Sequence, residues 1–206
     1  MGILINAIDI GIAGTSDVVR RTMTDMMFRY EGEQTIRINA PNRFGAKLAI
    51  NNAKSISRSL RKPIQKMRLY GHGWPGIQGM GRGNWSQTSD RTAARSYDAI
   101  SYANVDSLYP DIAALERCFA DNGVLEFHAC SVGAGTEGDR LLRKMATYLG
   151  RSVFAGIQLQ YSMGGTSPNQ ATHRRWDTHF EGNVKGATPD GVVSYWLQMS
   201  GGYVRL

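Results

Sequence analysis

Val124-Leu-Glu-Phe-His-Ala-Cys-Ser-Val-Gly-Ala-Gly-Thr-Glu-Gly138 decides how the rest of the chain is read. After the turn signal Asn122-Gly123 comes an apolar run of strand length, then Cys130, then a glycine-rich loop opening a helix. Backbone N–H groups and the helix dipole at such a junction stabilise a thiolate and any oxyanion formed beside it. A cysteine placed there needs a base. The chain offers one in Met67-Arg-Leu-Tyr-Gly-His-Gly73, a second short apolar run that ends in His72 between two glycines. Glycine on both sides weakens a strand, so His72 fits a site better than a core. Two parallel strands carrying His72 and Cys130 at their carboxyl ends are the expected constellation.

Outward from these two runs, strand and helix patterns alternate. Ile3 to Ile12 reads as a buried strand. Ser16 or Asp17 caps a helix to about Tyr30, with Val19, Met23, Met26 and Met27 along a core-facing stripe. Gln34 to Ala40 is a short strand ended by Pro41. Phe44 to Leu60 is an amphipathic helix with Ala49, Ala53, Ile56 and Leu60 on one side and Lys47, Lys54, Arg58 and Arg61 on another. After His72, a Gly/Ser/Arg-rich passage to about Asn104 has too few large aliphatics for core and reads as a long surface excursion with a β-hairpin. Pro110 starts a helix that runs to Gly123 and holds Cys118 as a small core residue. Thr136 and Asp139 resemble a capping box for a helix carrying Leu141, Leu142, Met145 and Leu149, closed by Gly150. Ser152 to Leu159 is a further strand, Met163 to Thr178 a polar loop, and His179 to Leu206 a set of antiparallel strands around Pro189-Asp-Gly191. The expected fold is one α/β domain over residues 1–206, a three-layer sandwich with a mainly parallel sheet and antiparallel C-terminal strands. Ligands in such sheets sit outside the carboxyl ends of the strands, where His72 and Cys130 fall.

Composition narrows the class. With 206 residues, 42% hydrophobic and 20% charged, the chain can bury a substantial core and is not of disordered type. Its two cysteines make no disulfide framework. The apolar start contains Asp9 and lacks a basic leader, and Asn6 stands where a myristoylation signal needs Ser or Thr. The expected location is the cytoplasm, or export without a classical signal peptide, with no membrane span. Net charge is +7, yet residues 34–89 carry ten Lys or Arg and no Asp or Glu, leaving −3 for the remainder. Trp74, Trp85 and Tyr70 lie among those basic residues and could stack bases. No nucleic-acid motif accompanies them, so a solvated or protein-facing surface is favoured over nucleic acid.

The residues allow this chemistry: His72 takes the Cys130 thiol proton and later returns it to a leaving amine. The N–H groups of Gly73 and Cys130 face the developing oxyanion, and Gly73 has no Cβ to obstruct a substrate carbonyl. A metal set of His72, His128 and Cys130 lacks a fourth ligand at zinc spacing, and no cofactor motif is present. His128 lies two residues before Cys130 and reads as structural or pocket-lining; His173 can line the cleft, while His179 reads as solvated.

An apolar strand ending in His-Gly, followed about sixty residues later by one ending in Ala-Cys, resembles the caspase-like clan of cysteine peptidases, which includes caspases, legumain, gingipains, separase and bacterial CHAT peptidases. His72-Gly-Trp-Pro-Gly76 with His128-Ala-Cys-Ser-Val-Gly133 is similar to a bacterial branch of that clan, domains often attached to large surface or secreted proteins. The likeness spans Lys66 to Gln158. It implies His72 as catalytic histidine, Cys130 as nucleophile and Gly73 as oxyanion contributor, in a dyad that needs no carboxylate. It further implies a peptide or protein substrate, no cofactor, and switching by cleavage or by an activating or inhibitory protein, with Trp74, His128 and His173 as candidate pocket residues. The alternative from another class is a catalytically silent binding module of the same fold that holds a partner through its basic face.

Overall fold

The computed structural model describes residues 2–9, 33–38, 43–81, 97–158, 180, 182–199 and 202–206. Their centre is an eight-stranded sheet of β1 (Ile3–Asp9), β2 (Glu33–Ile38), β3 (Ile64–Tyr70), β7 (Phe119–His128), β8 (Ser152–Gly156), β9 (Val184–Ala187), β10 (Val193–Met199) and β11 (Gly202–Arg205). Three short strands, β4 (Gly73–Trp74), β5 (Ile77–Gly79) and β6 (Ala99–Ser101), form a separate antiparallel sheet. The large sheet runs β11-β10-β9-β8-β7-β3-β1-β2; β2, β1, β3, β7 and β8 pair in parallel and the last three pair antiparallel. A mainly parallel sheet with an antiparallel C-terminal extension is the architecture expected from sequence.

Helices α1 (Gly45–Leu60), α2 (Tyr109–Glu116) and α3 (Gly135–Leu149) pack side by side on one face. Alternation along each strand decides which residues meet them. Ile5 and Ala7, Met67 and Leu69, Leu125 and Phe127, and Val153 and Ala155 point to the helices. They join Ala46, Ala49, Ile50 and Ala53 of α1 and Leu141, Leu142, Met145 and Leu149 of α3 in one core. The small residues of α1 recur at helical spacing, so that helix lies close to the sheet while its lysines stay outward. α1 ends where Arg61 turns left-handed, φ 51°, ahead of Pro63, and α3 ends at Gly150, as its glycine suggested. Of the expected three layers, the described residues supply the sheet and one helical layer; the helix expected to Tyr30 falls outside them.

Several boundaries differ from expectation. α2 stops at Glu116, not near Gly123, and β7 begins at Phe119. Gly123 therefore lies inside the strand, against the Ile64 carbonyl, next to the register shift between Ile64 and Lys66. α3 begins on Ala134 with no side-chain cap: Thr136 bonds Glu137, and Asp139 accepts from Lys185 at 2.5 Å. The passage after His72 does contain a hairpin, but much of its described part is core, with Trp74 as an exposed exception. Ile77, Gln78, Met80, Ala99, Ile100 and Val105 are all buried, because tertiary closure hides a segment whose composition looked too polar. Residues 82–96 lie outside the description.

Candidate functional site

β3 and β7 are neighbours in parallel register, with Tyr70 opposite His128. His72 and Cys130 each follow two residues later, so the same register carries them past the sheet edge side by side. Both are half-buried. Contacts beyond the strands close the gap. A Cβ on Gly73 would stand 2.6 Å from the Cys130 carbonyl oxygen and 2.7 Å from the Ala129 Cβ, so only glycine lets these two backbones approach so closely. The Gly76 N–H donates to the Val132 carbonyl at 2.9 Å, fastening the β4–β5 turn to the cysteine loop.

That loop has a sharp shape. Ser131, immediately after Cys130, has a positive φ of 57°, a conformation that costs a non-glycine residue about 1 kcal/mol. It is held by Ser131 N–H to the Gln158 carbonyl at 2.8 Å, just past β8, and Gly133 N–H to the Gly156 carbonyl at 2.9 Å, at the end of β8. These two amides are thereby engaged in the backbone. In the β4–β5 hairpin, Gly79 N–H donates to the His72 carbonyl at 2.7 Å, and Trp74 pairs with Ile77 around a two-residue turn. The alternation of an antiparallel ladder then makes Gly73 opposite Gln78 the non-hydrogen-bonded pair, which leaves the Gly73 N–H outside the hairpin ladder.

Beneath this rim, side chains on the face away from the helices form two rows across the sheet. The upper row is Ile8, Tyr70 and His128 in register. Tyr70 stacks on His128 with centroids 4.9 Å apart, and Phe180 covers the other side of the imidazole at 4.3 Å. The lower row is Asn6, Arg68 and Glu126. Glu126, fully buried, meets Lys66 at 2.7 Å, Arg68 at 3.3 Å, the Tyr203 hydroxyl at 2.7 Å and His128 Nε2 at 2.8 Å. Burial pushes the Glu126 carboxyl up, but the hydrogen bond from His128 and the two cations overrule it and hold it well below the usual carboxylate range. Burial likewise lowers His128, against the pull of Glu126, so His128 is neutral and donates its Nε2–H. Burial also drives the Tyr203 hydroxyl up, which keeps it a donor to Glu126.

His72 titrates below the ordinary histidine value because it is desolvated, with the Asp9 carboxylate acting the other way. A neutral imidazole at neutral pH can accept a thiol proton.

The backbones at Gly73 and Cys130 are thus close, with His72 next to Gly73 in the chain. His128 is 5% exposed, a packing residue under the site. Trp74 sits on β4 and is 52% exposed. His173 and His179 lie outside the described residues. Cys118 is buried at 6%, as expected of a small core residue. The basic face of α1 is partly occupied: Lys47 and Lys54 reach Asp111 at 3.9 and 4.0 Å. Sequence reasoning passed over Glu126 and Phe180; for Glu126 the signal was a lone charge inside an apolar run, and for Phe180 there was none.

The fold and rim define an α/β protein with an imidazole and a thiol at adjacent strand ends of a mainly parallel sheet. Among solved structures it is similar to a secreted C11 cysteine protease from Bacteroides thetaiotaomicron, "iotapain", at 9% identity and TM-score 0.48, covering 91% of this chain and 67% of that one. It is also similar to a secreted C11 cysteine protease of that organism in complex with an irreversible peptide inhibitor, at 8% identity and TM-score 0.44, covering 92% and 67%. These are likenesses of fold and nothing finer. No family model and no curated protein matches the chain. Among the described residues, no helix is long and apolar enough to cross a membrane.

Proposed function

We propose that the protein is a cysteine endopeptidase of caspase-like type. The observation that supports this reading is the β3–β7 register, Tyr70 opposite His128, with His72 and Cys130 each two residues further along adjacent parallel strands. Cys130 Sγ attacks the scissile carbonyl carbon while its proton passes to His72, and the carbonyl π electrons move to oxygen. The N–H groups of Gly73 and Cys130 hold that oxyanion, a contribution that is about a hundredfold or more in rate for a single donor elsewhere. The tetrahedral intermediate collapses, the C–N bond breaks, and His72 protonates the departing amine. Water then attacks the thioester with His72 as base, releasing the acid and restoring the thiol. Peptide or protein is the substrate, and no cofactor enters.

The lowered titration of His72 supports a base that is neutral near pH 7. The contact at Gly73 supports the close approach of the His72 strand end to the cysteine loop, which itself fills the space a Cβ would take.

The test is turnover of an unstructured protein substrate by wild type, Cys130→Ala and His72→Ala, with circular dichroism confirming that each is folded. Activity is expected in wild type alone. Cleavage by folded Cys130→Ala at the wild-type rate would remove the mechanism.

A further inference from the structure

We propose that β10 and β11, on the face of the sheet that carries the helices, form a docking surface for a second copy of this chain, the two copies closing about a two-fold axis. The inference stands apart from the peptidase reading. It concerns the end of the sheet, and β8 and β9 separate those strands from β3 and β7.

The polarity of these two strands is inverted. Val193, Tyr195, Leu197 and Met199 share one face of β10 by alternation, and Val204 of β11 stands opposite Leu197 on that face. The Leu206 N–H donates to the Tyr195 carbonyl at 3.0 Å, which continues the ladder and sets Leu206 beside Tyr195. This is the helix-bearing face, because Val193 pairs with Ala187 and packs on the main core. Ser194, Trp196, Gln198, Tyr203 and Arg205 take the other face. A strand pair with one wet side ordinarily turns its polar residues to water. In this pair Tyr195, Leu197, Met199, Val204 and Leu206 are 50, 51, 50, 55 and 75% exposed, whereas Trp196, Gln198 and Tyr203 are half-buried.

The helical layer stops short of this patch. α3 lies along β8 and β9: Asp139 accepts from Lys185 at 2.5 Å, and a Cβ on Gly191, between β9 and β10, would stand 3.2 Å from Arg143 Cγ. Among the described residues no helix follows beyond Val193, so α3 forms a wall beside a bare floor two strands wide. The wall is one helix high, about 10 Å, which is also the distance at which two sheets pack face to face. Two such steps related by a two-fold axis fit together. Each sheet end rests on the other's floor, and the edge of β11 is hidden behind α3 of the second copy. That edge needs hiding: Gly202–Arg205 has no Lys, Pro or register shift to guard it, and its one charge, Arg205, lies on the far face.

Area favours a copy over an incidental patch. Five large side chains at these exposures leave on the order of 500 Å² of contiguous apolar surface, within the ~300–600 Å² of the largest patch on a typical monomer, which is often functional. Closing the step adds the β11 edge and the flank of α3, which brings each copy toward the ~800 Å² per partner of a specific interface. An isologous contact needs only one self-complementary patch, and the exposed face of β10 and β11 carries no charge to repel its own copy.

Sedimentation velocity of the full chain across the micromolar range is expected to show a species of twice the 22.7 kDa of one copy. Leu197→Lys and Val204→Glu, each checked for folding by circular dichroism, are expected to weaken association about thirtyfold or more. Ser55→Lys, exposed on α1, is expected to leave the dimer intact. Amide exchange in β11 is expected to slow as concentration rises, because α3 of the second copy covers that edge. A wild-type chain that stays monomeric overturns the proposal and leaves the floor to a helix of another protein. A dimer that survives both folded variants overturns it too, since the contact would then lie elsewhere. So do open-ended oligomers, because a two-fold contact closes on itself.

Discussion

Tyr70 and His128 face one another across β3 and β7 with ring centroids 4.9 Å apart, and each stands two residues before a member of the rim pair. Phe180 stacks on the far side of His128 at 4.3 Å and an interplanar angle of 6°. The stack fixes the spacing of the two strand ends from below. His128→Ala opens a hole between Tyr70 and Phe180 and is expected to cost about 2–4 kcal/mol, by analogy with other large-to-small core changes. Urea unfolding measures this; a loss below about 1 kcal/mol would show that the stack does not hold the strands.

The same histidine predicts a pH dependence of stability. Burial lowers His128 below its usual 6.5, and His72 shares the direction. Above pH 6.5 both folded and unfolded states hold these rings neutral. Below it the unfolded chain binds protons that the folded state refuses, so stability falls until the folded values are reached. The Glu126 carboxyl is held down, and its contribution disappears only below about its ordinary 4.5. Between pH 7.5 and 5.5, therefore, wild type is expected to lose Tm more steeply than His128→Phe, which keeps a ring in the stack and removes the titration. Parallel curves for the two proteins would contradict this.

Much of this was legible in the sequence for a physical reason. Leu125, Phe127, Met67 and Leu69 all face the helical layer, and their runs ended in residues that a core does not want, so both strands could be read together with the candidate residues after them. What escaped notice needed the register. Glu126 interrupts an apolar run by one residue, and nothing local says that Lys66, Arg68 and Tyr203 will meet it across the sheet. Asp9 was read only as a charge unsuited to a leader peptide. The β5–β6 segment looked like surface because its burial comes from closure onto α1: the start of that helix lies so close that a Cβ on Gly45 would overlap the Met80 carbonyl.

Glu126 gives a prediction on stability. It is a buried carboxylate balanced by Lys66 and Arg68, and loss of its charge leaves those cations uncompensated. Glu126→Gln is expected to destabilise by about 3–5 kcal/mol. Tyr203→Phe, which removes the hydroxyl's bond to Glu126 on β7 and the long one it accepts from Gln198 on β10, is expected to cost about 1–3 kcal/mol. Chemical denaturation of both variants checks the order; a Tyr203→Phe loss as large as that of Glu126→Gln would mean the charges do not dominate the cluster.

Gly73 carries the last expectation. A methyl group there would lie 2.6 Å from the Cys130 carbonyl oxygen, 2.7 Å from the Ala129 Cβ and 2.8 Å from the Val132 Cγ2. Neither backbone can yield independently, because the Gly76 N–H bond to Val132 ties the β4–β5 turn to the cysteine loop. In Gly73→Ala the two strand ends must therefore separate, and His72 with them. A displacement of about 1 Å can cost about a hundredfold in rate, so kcat is expected to fall at least tenfold while the sheet remains folded. Trp74→Ala, at an exposed neighbouring position, serves as the control and is expected to leave Tm within a few degrees of wild type. Steady-state kinetics with thermal melts separate the cases: a folded Gly73→Ala turning over at the wild-type rate would show that the contact between these backbones does not set the spacing of the imidazole and the thiol.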